Sequence, residues 1–213
     1  MVQLTPLSNL PYPQPTDAAN VPLHLQSLAE ALDGRTVLRV ANTVNLSAIA
    51  APVTGMLAWV TTPGRYYYYT GGYWHPVAPS PVLKLNPVAG TTASATYVEA
   101  LTGSTGDTMA AAFTAPPSGT VLVTLGARIS SSVATGAGFM SMTVKQGTTV
   151  TLATADTRAA IFGGGMQCSA STQFQVSGLS GGVSYTATPA YRSSATTSTA
   201  TFAHRFLRID PVH

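Results

Sequence analysis

Thr120–Ser130 reads TVLVTLGARIS, Gly138–Gln146 reads GFMSMTVKQ, and Thr149–Arg158 reads TVTLATADTR. These runs are rich in Thr, Val and other residues that suit a pleated surface. Further runs of the same kind lie on either side: TYVEAL (96–101), TMAAAFTA (108–115), TQFQVSGL (172–179), SYTATPAY (184–191) and TATFAHRFLRI (199–209). Turn formers separate them at Pro116-Pro117-Ser118-Gly119, at Gly163 to Gly165 and at Gly181-Gly182. Strands spaced about 8–12 residues apart with such turns imply a sandwich or barrel. We expect a mainly β chain whose residues 91–213 form an antiparallel β-sandwich of Greek-key or jelly-roll type. The run Leu179-Ser-Gly-Gly182-Val-Ser-Tyr185 has the Leu-x-x-Gly-x-x-Tyr spacing of a tyrosine corner, in which a phenol bonds back to the backbone. That feature bears on architecture and carries no chemistry.

Towards the N-terminus, residues 79–90 hold Pro79, Pro81 and Pro87 and read as a linker. Residues 35–78 read as an aromatic meander. GMLAWVTT, RYYYYT and YWHPV follow one another, with Pro63-Gly64 and Gly71-Gly72 as the turns. Alternate strand residues share a face, so Tyr66 and Tyr68 point one way and Tyr67 and Tyr69 the other. Tyr73 and Trp74 join the cluster. Tyr66, Tyr67, Tyr68, Tyr69, Tyr73 and Trp74 are either the core of a small module or a candidate ligand platform, because such rings stack on sugars and bases. No helical periodicity is evident after Gly34.

Residues 1–34 read as a Pro-rich arm and a short helix. Pro6, Pro11, Pro13 and Pro15 favour extended backbone. Asp17 or Asn20 can cap the following helix, Pro22 fits its first turn, and Gly34 stops it. Val21, Leu25, Leu28 and Leu32, with Ala18 before them, form a heptad seam of about two repeats. A helix this short is marginal alone, so the seam needs a partner: either the chain's own β-domain or copies of itself.

Composition narrows the function. Of 213 residues, 8% are charged, with 10 Lys plus Arg, 7 Asp plus Glu, and a net charge of +3. A typical globular chain carries about 25% charged residues. Nucleic-acid binding needs clustered cations, which such a chain lacks. Hydrophobic residues make up 45%, so we expect folding rather than disorder. Low net charge favours association. The first residues lack the basic and apolar regions of a signal peptide. The most apolar stretch, Val44 to Val60, is broken by Asn45, Ser47, Pro52 and Thr54, so no membrane span is expected.

Candidate chemistry is sparse. Asp17, Glu30, Asp33, Glu99, Asp107, Asp156 and Asp210 fall in different segments, and His24, His75, His204 and His213 are equally scattered. No HExxH, GxSxG or phosphate-loop pattern occurs. His204 reads as a half-buried strand residue, and Cys168 as a small buried apolar residue. Asn45-Leu46-Ser47 reads as a chance match to the glycosylation pattern. We expect no enzyme, no catalytic residue, no metal and no cofactor.

The order of segments resembles a known class. It runs YPQPTD, then LQSLAEALDG, then GMLAWVTTPGRYYYYTGGYWHPV, then APPSGTVLVTLGARI and a terminal FAHRFLRIDP. It is similar to the minor tail or fibre proteins of tailed phages of actinobacteria. Their pattern G-x-x-A-x-V … Y-x-Y-x-G-G-x-W resembles Gly55, Ala58, Val60, Tyr67, Tyr69, Gly71, Gly72 and Trp74. The resemblance covers most of the chain but is one of style and order. It implies a virion protein assembled in the bacterial host cytoplasm, homotrimeric, attached to other virion proteins through residues 1–20, with a β-rich distal head. On that reading Val21, Leu25, Leu28 and Leu32 carry oligomerisation. A capsid decoration or head-fibre protein is an alternative, as is a carbohydrate-binding module whose partner is a host cell-surface glycan. Neither nucleic acid nor membrane is an expected partner.

Overall fold

The computed structural model describes residues 3–4, 11–12, 20–32, 36–105 and 108–212. The chain is mainly β, with several antiparallel sheets and a short helix near its N-terminus. It divides into two compact units, Met1–Pro79 and Ser80–His213.

In the first unit, β1 (Gln3–Leu4) pairs antiparallel with β2 (Pro11–Tyr12). The other residues of the segment read as an extended arm lie outside the described ones. Helix α1 spans Val21–Leu32. Asn20 caps it, its side-chain oxygen accepting from the Leu23 N–H at 3.2 Å. The alternative cap Asp17, the seam residue Ala18 and the stop Gly34 are outside the described residues.

A four-stranded sheet follows in the order β3 (Leu38–Asn42), β4 (Leu57–Thr62), β5 (Arg65–Tyr69), β6 (Trp74–Pro76). The meander is β4–β5–β6, antiparallel throughout. β3 runs parallel to β4, which two neighbours can do only through a crossover connection. Helix α2, Thr43–Ser47, lies in that crossover. This corrects the expectation of no helix after Gly34. Thr43 and Val44 are β-branched and read as strand, yet the Asn42 side chain accepts from the Asn45 N–H at 3.0 Å and starts a single helical turn. Asn45 of the Asn-Leu-Ser triplet is inside that turn. Leu46, Ala58 and Val60 form the small core.

The second unit holds β7 (Val82–Asn86), β8 (Gly90–Thr92), β9 (Ala111–Thr114), β10 (Val121–Ser131), β11 (Ala137–Gln146), β12 (Thr149–Leu152), β13 (Ala160–Gly163), β14 (Cys168–Val176), β15 (Ser184–Ser193) and β16 (Ala200–Pro211). One sheet has the order β14-β10-β16-β7, with β8 also on β16. The other has β12-β11-β15-β9, with β13 also on β11. Val121, Val123, Leu125, Ile129, Phe202, Leu207 and Ile209 of the first sheet meet Met140, Met142, Val144, Tyr185 and Tyr191 of the second in one core. This is the sandwich.

Local readings change in this unit. Residues 79–90, read as linker, contain β7, which pairs with Arg205–Ile209. Pro81 and Pro87 flank that strand instead of interrupting it, and β7 is an edge strand, where proline is tolerated nearby. TYVEAL is no strand: only Val98 bridges to Tyr191, and Thr102 to Thr91. TVTLATADTR keeps a strand at β12 and then enters a 3-10 turn at Asp156–Arg158.

His204 is exposed, contrary to the half-buried reading, while Arg205 is buried. A bulge explains both: the register with β10 shifts between Gly126 and Arg128, and His204 takes φ +48°. The inserted residue breaks alternation, so Phe202 and Ala203 are buried in succession, His204 is exposed and Arg205 is buried. Cys168 is exposed too, which corrects its reading as buried. It opens β14, an outer strand with few buried residues.

Candidate functional site

The aromatic residues of the meander divide by strand face. Tyr66 meets Trp59 edge-on at a centroid distance of 4.9 Å, and Tyr68 lies 5.6 Å from the His75 ring. On the other face, Tyr67 and Trp74 pack on the small core, and the Tyr69 and Trp74 rings are 5.3 Å apart. That second face is not flat. Thr43, Leu46 and Ser47 of α2, with Ile49 and Pro52 after it, stand opposite Tyr67, Tyr69, Tyr73 and Trp74 and enclose a cleft of about 460 Å³. Residues before the meander were not among the sequence candidates, because α2 was not foreseen. The signal for them was Asn42, a capping residue ahead of a short apolar turn.

Every lining residue of the cleft is uncharged. Burial raises the Tyr73 phenol above its ordinary value, opposed by its bond with the Thr70 side chain and assisted by Tyr68. Tyr73 is therefore neutral at physiological pH. The rings of Tyr67, Tyr69, Tyr73 and Trp74 are all half-buried.

The seam of α1 is placed differently. Val21 is 62% exposed, Leu25 61%, Leu28 36% and Leu32 36%, and the helix has no buried residue. Within the first unit, α1 neighbours β2, and its four seam side chains stay exposed.

The second unit has its own polar clusters. Tyr97 donates to Asp156 at 2.8 Å, and Arg192 forks onto the same carboxylate at 3.1 and 2.6 Å. The Arg192 guanidinium also lies 3.6 Å over the Phe139 ring. Its hydrogen bonds hold the Asp156 carboxyl below the usual range, and burial followed by the bond to Asp156 pushes Tyr97 up to about 12. Lys145 pairs with Glu99 at 2.6 Å. Arg205, 4% exposed, donates to the Val88 carbonyl at 3.0 Å and to Ser104. It lines a cavity of about 450 Å³ with Asn86, Ser104 and Tyr191. Its Nε has no partner among the described residues.

Leu179 and Tyr185 are buried, and the Tyr185 hydroxyl accepts from the Ser180 N–H at 3.0 Å. Gly182 turns the chain at φ +77°. Together they fix the crossing from β14 in one sheet to β15 in the other.

Among the described residues, no three His, Cys, Asp or Glu side chains are grouped to hold a metal, and no helix is long and apolar enough to cross a membrane. Comparison with protein-family profiles and with curated proteins finds no match.

Proposed function

We propose that the chain is a non-enzymatic structural subunit of a tailed-phage virion. In this reading it is a homo-oligomeric, trimeric tail or fibre component. Residues 1–20 grip another virion protein, α1 brings copies together, and the β-sandwich projects outward.

The observation that carries the reading is α1 itself. Four apolar side chains at heptad spacing stand in water on a helix with no buried residue. A helix of 12 residues gains most of its stability from packing an apolar stripe. A second copy supplies the same stripe, so association completes what the single chain leaves open. The scarcity of charge supports the same view, since permanent contacts are apolar.

The test is electron microscopy of purified particles carrying a label at the C-terminus of this chain. Label on the tail or a fibre, away from the particle body, is the expected result. Label over the capsid shell makes it a decoration or head-fibre protein, and particles without the chain contradict the reading.

A further inference from the structure

The cleft between α2 and the β5–β6 hairpin has the make-up of a small-ligand site. Its volume, about 460 Å³, falls in the range of about 300–1,000 Å³ common to such sites. The absence of charge in its lining selects a neutral occupant, because a charged one would lose its hydration without an ion to replace it. The wall of aromatic rings selects a flat apolar face to stack on.

The hydroxyls narrow the class further. The Tyr67 and Tyr69 phenols make no hydrogen bond with any described residue. The Ser47 hydroxyl, in contrast, is bonded to the Thr43 carbonyl at 3.2 Å. A purely apolar occupant would cover the two phenols and leave them unpaired. A molecule that alternates C–H faces with hydroxyls satisfies both the rings and the phenols.

We infer that this cleft binds a neutral saccharide, stacked on Tyr69 and Trp74 and hydrogen-bonded by Tyr67 and Tyr69. The inference is independent of the assembly reading, since every lining residue belongs to the first unit of a single chain.

The test is titration of the full chain carrying Trp59→Phe, which leaves Trp74 as the fluorophore because the chain has 2 tryptophans. The probes are neutral gluco-, galacto- and manno-oligosaccharides at up to millimolar concentration, with calorimetry alongside on the unsubstituted chain. At least one series should give a saturable change. Tyr67→Phe and Tyr69→Phe keep the rings and should each weaken it about three- to tenfold, the worth of one hydrogen bond, with the thermal midpoint retained. Tyr66→Phe, on the opposite strand face, should leave it unchanged. Absence of saturation with all three series overturns the inference. So does equal weakening by Tyr66→Phe, or tighter binding of uronic-acid oligomers. A proline-rich peptide of residues 1–16 that saturates the signal where the saccharides do not also overturns it.

Discussion

Gly119 takes φ +65°, and a Cβ on it would collide with the Leu179 carbonyl oxygen. That approach is used: the Leu179 N–H donates to the Gly119 carbonyl at 3.0 Å, tying the β9–β10 turn to the tyrosine corner. Gly119→Ala meets both the steric clash and the left-handed backbone, each costly for a side chain. It should destabilise the sandwich by about 2–3 kcal/mol in urea unfolding; a loss under about 0.5 kcal/mol would show that the turn yields freely.

Asp156 gives a second residue-scale expectation. Its folded carboxyl titrates below its ordinary 3.8, so its contribution is present above that value and fades as pH falls through the folded one. Glu99, lowered from 4.5 chiefly by Lys145, acts in the same direction. Tyr97 acts at the other end: its stabilising effect is whole below pH 10 and is lost as pH rises towards about 12. Asp156→Asn should flatten the acid limb of the urea midpoint against pH, and an unchanged acid limb would contradict the assignment. The positions of these partners were not legible in the sequence, because Tyr97, Asp156 and Arg192 are brought together only by the fold. The tyrosine corner was legible at this scale, since its three residues sit within seven positions. Arg205 was not, because a bulge moves alternation by one residue and no local pattern announces it.

At the scale of elements, long runs of strand-forming residues bounded by turn formers were readable, as β10, β11 and β16 show. Three failures have physical causes. Val82–Asn86 looked like linker because prolines flank it, yet an edge strand needs only one side of its backbone free to pair. Residues 96–101 have strand composition but make a single bridge to β15, beyond the end of β9. The five residues of α2 are too short for helical periodicity, so only their cap could reveal them. The cleft depends on that element, and the sequence therefore offered a flat aromatic platform in place of a pocket. Asn42→Ala removes the cap and should cost the first unit about 1 kcal/mol. It should also raise hydrogen exchange at the Asn45 amide, with the sandwich amides unaffected. Retained protection at Asn45 would mean that the turn is held by packing of Leu46 alone.

For the whole molecule, the division into two units matters more than the sandwich. The second unit buries a continuous core between its sheets, while the first has a core of three fully buried apolar residues with half-buried neighbours. A module with so small a core is marginal alone, and in the proposed reading further copies would stabilise it through its exposed leucines. The scarcity of charge, read directly from composition, points to association, while the copy number is not encoded in about two heptads.

The most direct measurement is the native mass of the full chain at micromolar concentration, compared with Leu25→Glu/Leu28→Glu. The unsubstituted chain should be a discrete oligomer, three copies in the reading proposed, and the double variant a monomer whose sandwich keeps its thermal unfolding transition. A single copy of the unsubstituted chain, or an oligomer indifferent to both glutamates, would contradict that reading.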